Sequence, residues 1–374
     1  MLATLDVPCL SAQPVEFQTL EQWGDSERGL MPVENTIMVA IPELDGTTGP
    51  MVFGGRTSAS GAKCAGCHRG CSFPTSDQGR DMHPCIERAE MLEGFPLREL
   101  QLNSAAYIHV LAETMKHAYA DRSRHLGDPD FHQVPVAALT SPEYARTIRA
   151  AIDPQRATPS QQILPATEFP HESTETTHYS VVDADGNMVS NTYTLNFSFG
   201  SGIAVPGGGF FLNNEMDDFA VAPGVKNAFG LTGDEANAVA AGKRPLSSMS
   251  PTILLGSERV AAIGSPGGSR IITMVFQGLS LILDGKSASE AVAAPRVHHQ
   301  YQPDSVSTEP GALSEAEMAA LTARGYTLTP AERPWGNMQI VVWNRSTGAV
   351  EAASDPRWKT VGGGESRDRE AIYR

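Results

Sequence analysis

The sequence predicts an α+β protein, because strand patterns and helix patterns occupy separate stretches of the chain. Three stretches have the strand–turn–strand pattern of β-hairpins: 177–196, 252–264 and 339–354. In the first hairpin, Tyr179 and Val181 alternate with polar neighbours, and residues Asp183–Asn187 form the turn. Helical spacing is found instead in 103–151 and 270–284. This separation of strand and helix patterns favours a fold in which layers of helices pack against sheets.

The first predicted helix has apolar side chains spaced by three or four residues, at Ile108, Leu111, Met115 and Tyr119. That spacing places them on one face of the helix, which we expect to be buried. Asn103 or Ser104 supplies the N-cap, and Gly127 and Pro129 end the helix.

Two further helices are predicted. One begins with Ser141 as its cap, with Pro142 at the first helical position and Glu143 in the first turn. The other, Arg270–Asp284, is apolar throughout and reads as a buried helix, with Gly278 as its weak point.

Composition excludes several classes of function. The chain has 374 residues, of which 41% are hydrophobic and 19% charged, so it has room for two domains or one large one with a substantial core. Its net charge of −15 repels phosphate backbones and anionic lipid, which argues against nucleic-acid and membrane-surface roles. No apolar run approaches the ~20 residues of a membrane span, and no basic region precedes an apolar stretch at the N-terminus. We therefore expect no signal peptide and a cytoplasmic location.

The cysteines are confined to the loop-rich first part of the chain, at Cys9, Cys64, Cys67, Cys71 and Cys85. Such crowding indicates a local cluster rather than a disulfide framework. "CAGCH" matches the attachment pattern of c-type haem, but four thiolates at Cys64, Cys67, Cys71 and Cys85 suit zinc or an iron–sulfur cluster better. Free cysteines in a surface loop are the alternative.

Thr176 is a candidate nucleophile. It follows the polar, proline-bearing segment "LPATEFPHESTE", which could be cleaved to free the α-amine of Thr176 as a base beside its own hydroxyl. The turns "GSPGGSR" and "VPGGGF" could offer N–H groups to an oxyanion, and "NNEMDDF" and "RPLSSMSP" could hold an ammonium and a carboxylate. The alternatives are ordinary β-propensity, tight turns and a solvated acidic loop.

Residues 93–374 resemble the γ-glutamyltranspeptidase family. The resemblance rests on "AYADRSRHLGDPDF", "TTHYSVVDADGN", "TYTLNFSFGSGI", "NNEMDDF", "KRPLSSMSPTI", "GSPGGSRIIT" and "ASDPR". It implies an N-terminal-nucleophile hydrolase with four αββα layers, whose precursor cuts itself into a large and a small subunit. By this resemblance the cut falls between Glu175 and Thr176, giving a C-terminal part of the large subunit at 93–175 and a small subunit at 176–374.

The resemblance also implies roles for individual residues. Thr194 would hydrogen-bond the freed terminus and hydroxyl of Thr176, and backbone N–H groups of Gly267 and Gly268 would form the oxyanion hole. Phe229 falls at the position of a lid aromatic. The γ-glutamyl α-amino and α-carboxylate groups would be held by Asn196, Glu215, Asp218, Ser247 and Ser248.

The reaction implied is attack of Thr176 on the γ-amide of glutathione or another γ-glutamyl compound. Water or an amino acid then resolves the γ-glutamyl ester, and no cofactor is needed. The partners implied are the small-molecule substrate and the large and small subunits in a heterodimer. Family members are commonly periplasmic or secreted. The family's large subunit begins much further ahead of the cleavage point and supplies a substrate-binding arginine, so we expect impaired activity in this chain.

Residues 3–92 resemble a different family, the large (H) subunit of magnesium chelatase and its cobaltochelatase relatives. The resemblance rests on "VEFQTLEQW", "VAIPELDG" and "DMHPCIERAEML". We therefore divide the chain at residue 92. Three hypotheses remain: an enzyme acting through Thr176, a tetrapyrrole- or metal-binding module in residues 1–92, and an inactive chimera.

Overall fold

A computed structural model describes residues 91–92, 95, 97–163, 176–183, 186–220, 233–256 and 258–357. Several predicted features lie outside these residues, namely the cysteine cluster (Cys64, Cys67, Cys71 and Cys85), Glu175 and Phe229. The metal site, the upstream residue of the cleavage point and the lid position therefore stay predictions.

The described part of the chain contains helices α1 (Ala105–His125), α2 (Val136–Leu139), α3 (Pro142–Ala151), α4 (Ser160–Ile163), α5 (Arg270–Leu283), α6 (Ala288–Ala293) and α7 (Glu315–Ala323). Short 3-10 turns lie at Leu97–Glu99, Glu215–Asp218 and Glu235–Asn237. Among these described helices, none has the length and apolar character needed to cross a membrane.

The strands are β1 (Thr177–Val182), β2 (Met188–Tyr193), β3 (Thr252–Leu255), β4 (Arg259–Gly264), β5 (Val297–His298), β6 (Val306–Thr308), β7 (Leu328–Pro330), β8 (Gln339–Asn344) and β9 (Val350–Ser354). They form a β1–β2 hairpin, an antiparallel sheet in the order β3–β4–β8–β9, and a small sheet in the order β5–β6–β7. All three predicted hairpins are confirmed.

The β1–β2 hairpin stacks on one face of the four-stranded sheet, and α5 covers the other face. Between the sheets, Ser190 Oγ donates to the carbonyl of Ile263 over 2.9 Å, and Met188 packs with Val260 and Ala262. On the opposite face, Ile263 packs against Val275 of α5. Val260 and Ala262 of β4 thus face the hairpin and Ile263 faces α5, because successive side chains of a strand point to opposite faces. The described residues give the order helix, sheet, sheet.

Helix α1 is more deeply buried than its sequence predicts. Ser104 caps it as expected, since its side chain accepts from the N–H of Tyr107. The expectation of one buried face is wrong, because Glu113 and Lys116 are buried as well. Their charges meet over 2.9 Å, and the Lys116 ammonium also donates to the carbonyl of Thr158 over 2.7 Å. Paired charges with satisfied hydrogen bonds can enter a core that lone charges cannot.

Helix α5 confirms the predicted buried helix, and Gly278 explains how closely it approaches the sheet. A Cβ at Gly278 would lie 2.6 Å from Ile263 Cδ1 and 2.8 Å from Met338 Sδ. Glycine therefore costs helix propensity but permits this contact.

Replacing Gly278 with valine should lower the free energy of unfolding by about 1–3 kcal/mol, because the added methyl groups overpack the interface between α5 and the sheet. Ser280→Val, at a half-buried position of the same helix, is the matched control and should cost about 0.5 kcal/mol or less. Urea unfolding measures both. Equal losses in the two variants would contradict the packing explanation.

Candidate functional site

Thr176 lies immediately before β1, and its hydroxyl meets a second threonine. Thr176 Oγ1 donates to Thr194 Oγ1 over 3.2 Å, and the same Thr194 oxygen accepts from the N–H of Asn196 over 2.9 Å. Thr177 begins the strand and is exposed. The two threonines proposed to act together are therefore in contact, and the strand begins where the sequence predicts.

Asn196 connects this pair to the acidic turn. It adopts a left-handed backbone conformation with φ of 73°, which a non-glycine residue takes at a cost in strain. Its Nδ2 donates to the carbonyl of Asn214 over 3.2 Å, and Asn214 Oδ1 accepts from the N–H of Phe197 over 3.1 Å. The residue after Asn214 is Glu215, so these hydrogen bonds connect the threonine pair to the acidic turn.

Glu215 and Asp218 lie at the two ends of a 3-10 turn. Burial raises the pKa of Glu215 above its ordinary value, and a hydrogen bond with Asp218 partly offsets that rise. Within the described residues, Glu215 Oε1 is buried and has no hydrogen-bond partner. A buried carboxylate oxygen without a donor is costly, so a bound cation or ammonium group would be stabilised at this position.

Buried Asn237 joins the acidic turn to the serine segment. Its Nδ2 donates to the carbonyl of Asp218 over 2.7 Å, and its Oδ1 accepts from the N–H of Leu246 over 3.1 Å. Ser247 and Ser248 follow directly. Sequence reasoning missed Asn237, because nothing in its local pattern distinguishes a bridging asparagine from a turn residue.

The serine segment is held from helix α1. Arg122 Nη2 donates to the carbonyl of Ser247 and to Ser248 Oγ, each over 3.1 Å. Ser247 Oγ in turn accepts from the N–H of Met249 over 3.1 Å. The Arg122 side chain is buried, although it comes from the part of the chain before Thr176.

The two glycines proposed for the oxyanion hole precede helix α5. Gly267 has φ of 141° and Gly268 has φ of 56°, values that favour glycine. Their carbonyls accept from the first N–H groups of α5, at Arg270 and Ile271, over 3.1 Å each. Met274 Cε would lie 2.5 Å from a Cβ at Gly267, so a larger residue there would have to displace the end of the Met274 side chain. The N-terminus of α5 favours negative charge at this point.

The other glycine-rich turn, "VPGGGF", is the tip of an excursion between Phe197 and Asn213. Added Cβ atoms at Gly207 and Gly209 would meet nothing within 4 Å. The N–H of Gly208 donates to the carbonyl of Val205 over 3.0 Å, so this segment forms a turn. Large apolar side chains are exposed along the same excursion, at Phe199, Ile203, Phe210, Phe211 and Leu212.

His178, which sequence reasoning also missed, fixes strand β1 against the neighbouring sheet. Its Nδ1 lies 2.7 Å from Thr192 Oγ1 and its Nε2 lies 3.0 Å from Ser180 Oγ. A Cβ at Gly264 would lie 2.2 Å from the imidazole ring. Burial lowers the pKa of His178 to about 3, so the ring is neutral at physiological pH. Its place two residues after Thr176, on the same face of the strand, was the available signal.

His178 should make stability depend on pH. Its folded pKa of about 3 lies below the ordinary value of 6.5, so the folded state binds fewer protons than the unfolded state between these values. Stability from this group is complete above pH 6.5 and falls by up to ~1.4 kcal/mol per pH unit as the solution is acidified. His178→Gln should remove about one proton from the slope of unfolding free energy against pH. An unchanged slope would contradict the neutral assignment.

The structure joins the predicted residues by short hydrogen-bonded steps. Thr176, Thr194, Asn196 and the acidic turn form one run, and Asn237 extends it to Ser247 and Ser248. Gly267 and Gly268 follow β4, whose Gly264 contacts His178. No group of three or more metal-binding side chains occurs in the part of the chain that the structure describes.

Comparison with known proteins gives two family matches. The model of the gamma-glutamyltranspeptidase family matches residues 73–364, and that of the CobN/magnesium chelatase family matches residues 1–104. The chain is 51% identical over 268 residues to the glutathione hydrolase proenzyme of Pseudomonas aeruginosa, covering 70% of this chain and 47% of that protein. It is 47% identical over 274 residues to the glutathione hydrolase proenzyme of Escherichia coli K12, covering 73% of this chain and 47% of that protein.

Among solved structures, the cephalosporin acylase of Bacillus halodurans is similar with a TM-score of 0.62 and 25% identity, covering 77% of this chain and 49% of that one. The chain thus spans about half the length of the relatives it matches.

Proposed function

Because this chain belongs to the γ-glutamyltranspeptidase family, with residues 73–364 matching the family model, we propose that it is a self-cleaving γ-glutamyl hydrolase and transferase with Thr176 as its nucleophile. The observation that carries the proposal is the contact of Thr176 Oγ1 with Thr194 Oγ1, which hydrogen bonds through Asn196 link to the half-buried acidic turn. The names of its relatives, which are proenzymes and glutathione hydrolases, support the same function.

Self-cleavage begins with addition of the Thr176 hydroxyl to the carbonyl carbon of Glu175. The peptide nitrogen leaves and takes up a proton, and water then hydrolyses the ester. The fragment that begins with Thr176 now has a free α-amine on that residue, and this amine can accept the proton of the Thr176 hydroxyl. Thr194 holds that hydroxyl in place and is itself held by the N–H of Asn196.

In the proposed turnover, Thr176 Oγ1 attacks the γ-carbonyl carbon of the substrate. The oxyanion is stabilised by the N–H groups of Gly267 and Gly268, and the departing amine takes the proton from the threonine amine. The γ-glutamyl ester on Thr176 is then resolved by water, which gives hydrolysis, or by an amino acid, which gives transpeptidation.

The acidic turn and the serine segment select the γ-glutamyl group. Glu215 offers a buried carboxylate oxygen to the α-ammonium, with Asp218 beside it. Ser247 and Ser248 offer hydroxyl and backbone donors to the α-carboxylate.

The two products of self-cleavage should remain together as a heterodimer. Helix α1, which precedes Thr176, shares one apolar core with residues that follow it. In that core Leu111 and Tyr119 are buried together with Ile272, Val306 and Leu321. Separating the fragments would expose this surface to water at a large free-energy cost.

The second candidate is an acylase for glutaryl-type side chains, which the structural similarity to a cephalosporin acylase favours. The two activities differ by one substrate group, the α-amine. The test compares hydrolysis of γ-glutamyl-p-nitroanilide with that of glutaryl-p-nitroanilide, which lacks the amine. We expect at least a ~100-fold higher kcat/KM for the γ-glutamyl compound, because without the amine the buried Glu215 Oε1 has no hydrogen-bond partner among the described residues. A preference for the glutaryl compound would support the acylase instead.

Substrate binding should also depend on pH through Glu215. Its pKa is raised by burial, so it takes up a proton at a higher pH than an exposed glutamate does. The protonated carboxyl cannot pair with an ammonium, so the KM for γ-glutamyl-p-nitroanilide should rise as pH falls through that raised pKa. KM measured from pH 4.5 to 8 tests this expectation, with Glu215→Gln as the variant that should lose the dependence. A pH-independent KM in the parent protein would contradict it.

A further inference from the structure

Helix α1 contacts both halves of the proposed site, although it lies before the predicted cleavage point. Tyr119 OH donates to the carbonyl of Ser269, the residue after the glycine pair. Arg122, three positions later, donates to the carbonyl of Ser247 and to Ser248 Oγ. Residues three apart share a helix face, so one face of α1 spans from the oxyanion segment to the serine segment.

Both side chains are buried, and their targets are themselves tightly held. Tyr119 is 2% and Arg122 is 4% exposed. Ser269 Oγ donates to Gln300 Oε1 over 2.5 Å, which ties the glycine segment to β5 through His298. Linked hydrogen bonds of this kind fix the backbone more firmly than one isolated bond does.

We propose that Tyr119 and Arg122 are positioning residues: Tyr119 sets the Gly267–Gly268 segment, and Arg122 sets the Ser247–Ser248 segment. Their meaning for catalysis rests on the proposed function. Neither residue needs to touch the substrate. Loss of the Tyr119 hydroxyl should therefore weaken stabilisation of the oxyanion, whereas loss of the Arg122 guanidinium should weaken binding of the α-carboxylate.

The positioning by Tyr119 and Arg122 also explains why the fragment before Thr176 must stay bound after cleavage. The groups that hold the two segments come from α1, whereas the segments belong to the chain that begins with Thr176. If the fragments separated, Ser248 Oγ would lose the guanidinium and the Ser269 carbonyl would lose the phenol.

The decisive experiment is hydrogen exchange on the full chain in two variants, Tyr119→Phe and Arg122→Met. The reporters are the N–H groups of Arg270 and Ile271 for the glycine segment, and those of Leu246 and Met249 for the serine segment. Tyr119→Phe should speed exchange about 10-fold at the first pair and leave the second unchanged, the size expected for one lost hydrogen bond. Arg122→Met should do the reverse.

Two matched controls come from the same helix. Arg124→Met removes an exposed arginine two positions from Arg122. Tyr107→Phe removes the hydroxyl group of a buried tyrosine near the start of α1. Neither should change exchange at the four reporters. Arg122→Lys, which keeps the charge, should fall between the parent and Arg122→Met, and it replaces the methionine variant if that variant does not fold.

Kinetics then separates this inference from the proposed function. With γ-glutamyl-p-nitroanilide, Tyr119→Phe should lower kcat at an unchanged KM, and Arg122→Met should raise KM several-fold. If the parent protein hydrolyses nothing, the proposed function fails while the exchange data still decide the positioning. Equal exchange at both segments in each variant, or no change in either, overturns the inference.

Discussion

Replacing Thr176 with alanine should leave the chain uncut and reduce γ-glutamyl hydrolysis by at least ~10³-fold, since loss of the nucleophile in a hydrolase costs about 10⁶ in kcat. The alanine side chain has no oxygen to attack either the Glu175 carbonyl or the substrate. Intact mass after incubation measures the first effect. The parent chain should split between residues 175 and 176 into two fragments, and Thr176→Ala should give one species.

Two further variants show that the effect belongs to this hydroxyl. Thr176→Ser keeps an oxygen in place and should retain cleavage at a reduced rate. Thr177→Ala changes the next residue, which is exposed and begins β1, and should cut and hydrolyse as the parent does. If Thr176→Ala is cut at the same bond, or if the parent is cut elsewhere, Thr176 is not the nucleophile.

The family resemblance paired Thr176 with Thr194, and the register of the β1–β2 hairpin explains why the two residues meet. The turn at Asp183–Asn187 fixes the register, in which Thr177 lies opposite Tyr193. One step further along both strands brings Thr176 to Thr194. The hairpins and helix α5 could be predicted from the sequence, because their periodicity and turns are local properties of the chain.

Other parts of the site depend on partners far apart in the sequence. Arg122 and Ser247 are 125 residues apart, and Tyr119 and Ser269 are 150 apart. Within α1, Tyr119 is recognised only as an apolar residue at helical spacing, and Arg122 is recognised only as a charged one. Periodicity cannot tell a buried arginine that donates to a carbonyl from one that faces water.

The family resemblance supplied what local patterns could not. It singled out Glu215, Ser247 and Gly267. The segments around these residues, taken alone, indicate an acidic loop and turns. It did not supply the residues that hold them, such as Asn237. Positioning residues of this kind become visible only when distances and burial are known, because their side chains carry no reactive group of their own.

The second large effect is expected from a buried ion network formed by Arg296, Glu309, Asp355 and Arg357. Asp355 Oδ2 accepts from Arg296 over 2.6 Å, and Asp355 Oδ1 accepts from Arg357 over 3.0 Å. Arg357 also donates to both oxygens of Glu309, over 2.7 and 2.6 Å. Arg296 is 2% and Asp355 is 3% exposed. Burial lowers the pKa of Arg296, and the charge of Asp355 opposes that shift.

Asp355→Asn should therefore lower the free energy of unfolding by about 3–5 kcal/mol, the usual cost of breaking a buried ion pair by removing one partner. The Arg296 guanidinium would stay buried with its main counter-charge gone, and the bond from the N–H of Met338 would weaken. Lys286→Met is the control, because it breaks the exposed pair with Glu290, whose atoms are 3.5 Å apart, and should cost about 0.5 kcal/mol or less. Urea unfolding of the two variants beside the parent measures both costs.

The same variant should also affect the site in molecules that remain folded. Arg296 Nη1 lies 3.7 Å from Met274 Sδ, and the methyl group of Met274 fills the space beside Gly267. A guanidinium that shifts after loss of Asp355 would displace Met274 and loosen the backbone that is proposed to bind the oxyanion. At a temperature where Asp355→Asn is still folded, we therefore expect kcat to fall while KM stays close to that of the parent. A variant that is destabilised but keeps the parent's kcat would show that the network supports the fold without reaching the glycine segment.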